Sequence, residues 1–245
     1  MFRFIERKFL QLVGPMIESP PAFFRRLYWR GLFKIREEEG SRSIYLTFDD
    51  GPIPESTPWV LDVLDRFGIK ATFFMVGDNV RKYPGLYEEV LRRGHRVGNH
   101  TMHHLQGAHV TTRRFVDDVA EAARYIDSDL FRPPHGWMRF RQTSKVNRYY
   151  RIVMHDIVTR DYSSYLSASD VVANVKKYAA PGSIIVFHDS LKSLPRIRES
   201  LPICLEWLIS QGYEFRLIPH KEEPLEKDTH RKVSVFNRKK PGCEP

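Results

Sequence analysis

Asp49 and Asp50 stand side by side in the segment Thr47-Phe48-Asp49-Asp50-Gly51-Pro52. Neighbouring carboxylates resist joint ionisation unless a cation or an arginine is close, so such a pair suits a division of labour: one group ligates a metal and the other handles protons. Alone, an Asp-Asp-Gly-Pro run is no more than a good turn. Further on, Asn99-His100-Thr101-Met102-His103-His104 sets His100 and His104 four residues apart, which offers two imidazoles to one ion where the backbone makes a helical turn. Joined by an aspartate from another strand end, they form a three-ligand set with a position open to water, the pattern of catalytic rather than structural metal sites. His95, His103 and His109 remain as spares.

Three further polar clusters follow. In Phe131-Arg132-Pro133-Pro134-His135-Gly136 the prolines stiffen the loop, fixing Arg132 and aiming the backbone N–H of His135 or Gly136. The next is Asp156-Ile157-Val158-Thr159-Arg160-Asp161-Tyr162, and the last is Ile184-Ile185-Val186-Phe187-His188-Asp189. A histidine after four apolar residues stands where a buried strand emerges, partly desolvated and open to tuning by a carboxylate. Singly, each cluster reads as an ordinary loop; jointly they need elements that bring them together.

Those elements are a run of short apolar strands, Ser43–Phe48, Ala71–Gly77, Arg96–Gly98, Leu130–Phe131, Arg151–His155, Ser183–Phe187 and Tyr213–Leu217. Helical periodicity lies between several of them, over Pro58–Phe67, Tyr83–Arg93, Thr111–Ile126, Ser169–Ala179 and Pro195–Gln211. Such alternation predicts an α/β fold with a parallel sheet, closed or open, and functional residues at the carboxyl ends of the strands. Each of the five clusters follows an apolar run in chain order.

Taken together, TFDDGP, HTMHH, RPPHG, the Asp161-Tyr162 pair and VFHD resemble the five motifs of the polysaccharide deacetylases, the NodB homology or carbohydrate esterase family 4 group, over about residues 43–220. The resemblance implies a distorted (β/α) barrel of about seven parallel strands. It implies that Asp50, His100 and His104 hold one divalent metal, usually Zn2+, with Co2+ or Mn2+ also suited to such ligands. It makes Asp49 the base for a metal-bound water that attacks an N-acetyl carbonyl, with Arg132 holding Asp49 ionised. His188 becomes the acid that protonates the departing amine, and Asp161 its orienting partner. The His135 backbone N–H would stabilise the oxyanion, and Val186 would line the acetyl-methyl pocket. This chain departs from the pattern at His135, where tyrosine is usual, at Tyr162 for tryptophan and at Val186 for leucine; His155 and Val158 also differ. The implied activity is hydrolysis of N-acetyl groups on an N-acetylglucosamine-containing glycan, peptidoglycan or chitin-like. The rivals are an O-acetyl esterase or small-molecule amide hydrolase on the same scaffold, and a catalytically silent carbohydrate-binding protein.

The 245 residues fit one large domain with short flanks, and 42% hydrophobic with 28% charged residues excludes disorder and fibrous repeats. Residues 1–42 read as a basic amphipathic extension, 43–220 as the catalytic domain and 221–245 as a polar, loose tail. The net charge of +9 divides as +4, +3 and +2 over these three stretches, so it is no nucleic-acid footprint and no nucleic acid is expected as a partner. In residues 1–35, Phe2, Ile5, Phe9, Leu12 and Met16 recur at helical spacing, and aromatics then interleave with Arg25, Arg26 and Arg30 beyond Pro20-Pro21. This stretch reads either as an arm packed on the domain or as a peripheral membrane contact. No run has the length of a spanning helix or the form of a clean cleavable signal, which points to a cytoplasmic or peripherally membrane-associated protein. Cys204 and Cys243 fit neither a disulfide framework nor a zinc ribbon. Nothing in the pattern assigns an oligomeric state.

Overall fold

The computed structural model describes residues 18–27, 30–36 and 38–222. In chain order these hold α1 (Ala22–Leu27), β1 (Gly31–Leu32), β2 (Ser43–Asp49), α2 (Thr57–Arg66), β3 (Thr72–Met75), α3 (Gly77–Lys82) and α4 (Pro84–Arg92). Next come β4 (Arg96–Asn99), α5 (Thr112–Ala122), β5 (Leu130–Phe131), α6 (Phe140–Val146) and β6 (Arg151–Val153). The series ends with β7 (Ile157–Val158), α7 (Ala168–Tyr178), β8 (Ile184–His188), α8 (Leu194–Ser210) and β9 (Glu214–Phe215). The strands run in the order β1-β6-β5-β4-β3-β2-β8-β7, with β9 against β2, and every ladder is parallel. The described residues thus hold nine strands rather than about seven. The additional β1 and β7 are two residues each, one within the expected amphipathic extension and the other within the fourth polar cluster.

Side-chain alternation along the strands decides what faces the site. On β2, Ile44, Leu46 and Phe48 pack into the large core shared with α2, α7 and α8, whereas Tyr45 belongs to a second cluster with Phe74, Leu130, Val153 and Ile184 inside the barrel. Asp49 is therefore on the inward face. On β8, Ile185 and Phe187 join the outer core while Ile184 joins the inner cluster, which leaves Val186 and His188 facing inward. The register sets Thr47 opposite Val186 and Asp49 opposite His188.

The barrel draws on residues upstream of Ser43. Gly31 and Leu32 extend the sheet beyond β6, and just beyond them Ile35 N–H bonds to Gly182 C=O while Lys34 bridges to Ser183 at the start of β8. This segment spans the gap between β6 and β8. Residues 1–17 of the predicted amphipathic extension, most of the 221–245 tail and Cys243 lie outside the described residues; Cys204 is buried in the core. Among the described residues, no helix is long and apolar enough to cross a membrane.

Gly98 on β4 is paired with Phe74 on β3, and a Cβ there would come 2.4 Å from the Phe74 ring. The missing side chain makes room for a ring that carries Arg132 (below). Gly98→Ala is expected to destabilise the fold by about 1–3 kcal/mol through overpacking, read as a lower urea midpoint with an unchanged slope.

Candidate active site

Arg132 leaves β5 and turns its side chain into the barrel, where it is almost wholly buried. Nη1 donates to Asp49 Oδ1 at 2.6 Å and to Thr47 Oγ1 at 2.8 Å; Nη2 donates to Met154 C=O at 2.9 Å. The guanidinium lies 4.1 Å from the centroid of the Phe74 ring. Burial pulls its pKa down, and the Asp49 carboxylate opposes that shift. A buried charge needs a partner of this kind, and the Asp49 carboxylate supplies it to Arg132.

Asp50 breaks the strand alternation. With φ at 86° it turns the chain so that its carboxyl, like that of Asp49, opens into the site; Asn79 Nδ2 holds its carbonyl at 2.8 Å. Asp50 Oδ1 lies 3.3 Å from His104 Nε2 and 3.9 Å from His100 Nε2. Three ligands at ~2.0–2.1 Å from a tetrahedral ion stand roughly 3.3–3.5 Å apart, so this set matches the spacing with little movement. The His100 Nδ1–H donates to Arg132 C=O at 2.8 Å, leaving the Nε2 lone pair for a ligand, and burial drives this ring's pKa down to about 4, so it is neutral. Burial raises the Asp50 pKa, but the His104 hydrogen bond and the charge of His188 outweigh it and hold the group ionised. The donor set fits a divalent cation.

The expected helical turn between the two histidines does not form. Residues 100–106 are an irregular loop in which Thr101 and His104 take φ of 66° and 52°. Asp118 shapes it by accepting from the N–H groups of Met102 and His103 and pairing with His103 Nδ1 at 2.6 Å. His103 is thus a clamp on the loop. His95 accepts the Ala71 N–H within the core, and His109 lies in the 3₁₀ turn Gly107–His109.

At the end of β8, His188 Nδ1 pairs with Asp161 Oδ1 at 2.7 Å, and Asp161 Oδ2 accepts the His188 backbone N–H at 2.7 Å. Burial opposes the charged ring, but Asp161 overcomes it and lifts the His188 pKa to about 9. Tyr162 stands edge-on to His188 at 4.9 Å. The 131–136 loop is extended through Pro133 and then turns at His135 and Gly136, with φ of 59° and 67°, instead of staying extended. The Gly136 N–H goes to Pro133 C=O, and the His135 ring stands 4.9 Å from His104.

One cleft of about 990 Å3 is lined by Asp49, Asp50, His100, His104, Arg132, His135, Tyr162, Val186 and His188, and Asp161 lies directly behind His188. All ten residues singled out in the sequence are brought together. Asp189 has a positioning part that its place in the VFHD run did not reveal. Fully buried, it accepts the Gly51 N–H at 3.0 Å and the Thr57 hydroxyl at 2.6 Å, and its own N–H bonds to Asp49 C=O. It therefore pins the turn that carries both carboxylates. Only a bare backbone fits there, since a Cβ on Gly51 would meet Asp189 Oδ2 at 2.0 Å.

A family model described as polysaccharide deacetylase matches residues 36–153. The chain is 34% identical over 181 residues to a peptidoglycan-N-acetylglucosamine deacetylase of Bacillus cereus, covering 70% of this chain and 84% of that one. It is 34% identical over 170 residues to a chitooligosaccharide deacetylase of a Bradyrhizobium species, covering 64% and 77%. The crystal structure of a peptidoglycan N-acetylglucosamine deacetylase superposes with a TM-score of 0.72 at 28% identity, over 81% of this chain and 95% of that one. The chain belongs to the polysaccharide deacetylase family. Enzymes of this family are metal-dependent, and the Asp50, His100 and His104 group is a possible site for the ion.

Because the folded-state pKa of His188 lies above the ordinary value of 6.5, its ion pair with Asp161 stabilises the fold fully below about pH 6.5, and that contribution is lost as pH rises through about 9. An NMR titration of the ring is expected to show a protonated imidazole at pH 8. In Asp161→Asn the transition should move several pH units lower, and an unmoved transition would contradict the pairing.

Proposed function

We propose that this protein removes N-acetyl groups from N-acetylglucosamine-type residues of a glycan, releasing acetate and a free amine. The observation that supports this reading best is the register of β2 and β8, which faces Asp49 and His188 across one ladder step, with the Asp50, His100 and His104 group beside them. A divalent cation held by those three, with zinc the best match to two imidazoles and a carboxylate, would supply Lewis acidity toward a water and the acetyl carbonyl. Asp49, held in place by Arg132, accepts a proton from the water as it attacks the carbonyl carbon. His188, held charged by Asp161, donates a proton to the nitrogen as its bond to that carbon breaks. Without that proton the amine is a poor leaving group.

The surrounding side chains have supporting parts. The His135 N–H is the oxyanion contact in this reading, supported by the engagement of the neighbouring Gly136 N–H with Pro133 C=O. Val186, buried beside Met154 in the cleft, meets the acetyl methyl, and Tyr162 both shields His188 and walls the sugar site.

Zinc-loaded protein is expected to release acetate from chito-oligosaccharides or peptidoglycan fragments, with O-acetylated sugars assayed in parallel. Chelation should abolish release and zinc should restore it, while His188→Ala should lower kcat about 10²–10⁴-fold. Release that is confined to O-acetyl substrates, or that His188→Ala leaves intact, would overturn the assignment.

A further inference from the structure

Asp156 and Arg160 belong to the fourth polar cluster, yet neither enters the chemistry. Both are buried, and the structure gives each a partner from the same distant segment. Arg160 Nη1 donates to Glu18 Oε1 at 2.9 Å, in a pair where both side chains are largely out of water. Asp156 Oδ1 accepts from Arg25 Nη2 at 2.6 Å, and Asp156 also holds the Ser183 hydroxyl. Arg25 in turn donates from Nε to Pro20 C=O at 2.7 Å and from Nη2 to Ser19 Oγ at 3.1 Å, which ties the segment into one compact strap. Arg160 takes φ of 60°, so the chain turns sharply between the anchor and Asp161, the partner of His188. The strap is thus pinned at two points that flank β7, the second of them next to Asp161, the partner of His188.

Between its anchors the strap puts Pro20, Pro21 and Phe23 onto the wall of the catalytic cleft. Phe23 is 66% exposed, and Trp137, on the 131–137 loop of the same cleft, is 44% exposed. An aromatic side chain as exposed in a cleft as Phe23 suits the apolar C–H face of a pyranose ring. At about 990 Å3 the cleft stands at the upper end of the ~300–1,000 Å3 usual for small-molecule sites, with space beyond the one acetylated sugar that meets the carboxylates. The strap lies upstream of residues 36–153, the stretch matched by the family model.

We propose that residues 18–25 form a specificity-determining wall of the cleft, and that Phe23 presents its ring to a sugar neighbouring the one that loses its acetyl group. The inference rests on the reading of the substrate as an N-acetylated glycan. It makes the protein selective for oligomers over single sugars, through a contact remote from the reacting bond. Phe23 touches glycan there; Glu18 and Arg25 act through it as positioning residues.

The test uses the full chain loaded with zinc, with chitotetraose and monomeric N-acetylglucosamine as probes. Calorimetric titration of chitotetraose should show about a tenfold loss of affinity in Phe23→Ala and near-full rescue in Phe23→Tyr. Arg25→Gln, which unseats the wall without touching the cleft chemistry, should show a similar loss. Acetate release should fall in kcat/KM on the tetramer while release from the monomer stays at its wild-type level. An unchanged tetramer affinity in Phe23→Ala, or an equal fall on both substrates, would overturn the proposal. So would failure of the wild-type protein to bind the tetramer, or a Phe23→Ala defect confined to binding of anionic lipid vesicles. Tetramer binding that depends on Phe23 with no acetate released from any substrate would leave the wall standing and overturn the deacetylase reading instead.

Discussion

The buried guanidinium of Arg132 is the constraint on which the rest of the site depends. A cation deep inside a barrel is tolerable only if its donors are matched, and here the match comes from five places: the Asp49 carboxylate, the Thr47 hydroxyl, the Val153 and Met154 carbonyls and the face of Phe74. Its own carbonyl receives the His100 ring. One residue therefore links Asp49, the His100 imidazole and the inner apolar cluster, and Gly98 leaves room for the Phe74 ring that packs against the guanidinium. Removing the cation would leave Asp49 buried beside uncompensated carbonyl oxygens.

Around that fixed point the fold concentrates its backbone strain. Asp50, Thr101, His104, His135 and Arg160 are the non-glycine residues with left-handed φ among the described residues, and every one lies in a loop at a strand's carboxyl end. Such conformations persist only where surrounding contacts over-determine them. Here Asp189 and Asn79 hold the Asp50 turn, Asp118 holds the histidine loop and Glu18 holds Arg160. Strand alternation alone presents one inward side chain in two. The left-handed turn at Asp50 lets a second consecutive carboxylate face the site, which is what the proposed separation of metal binding from proton handling within one dipeptide requires.

Much of this architecture was legible in the chain because buried parallel strands are continuous apolar runs. Ser43–Phe48 and Ile184–Phe187 announce themselves, and the polar residue after each run marks where the strand surfaces. Strands β1 and β7 were not legible: Gly31-Leu32 lies in a stretch read as part of the amphipathic extension and Ile157-Val158 sits inside a polar cluster, and they are strands because β6 and β8 offer free edges. Helix α3 was hidden behind a Gly-Asp start that reads as a turn, and α6 behind a polar sequence whose Phe140 faces solvent. In the site, residue types and order pointed to the reacting groups, whereas their supports did not show. Asp189 looks like an appendage of His188 until its contacts with Gly51 and Thr57 are seen. The pairing of Arg160 with Glu18 crosses 142 positions, and no local pattern encodes it.

The division of labour between Asp49 and Asp50 is the central claim, and metal stoichiometry measured alongside acetate release tests it most directly. Asp49→Asn should bind one equivalent of zinc as the wild type does and yet lose turnover. Asp50→Asn should lose both together. Loss of zinc from Asp49→Asn to the same degree as from Asp50→Asn, or turnover that survives in Asp49→Asn, would contradict the claim.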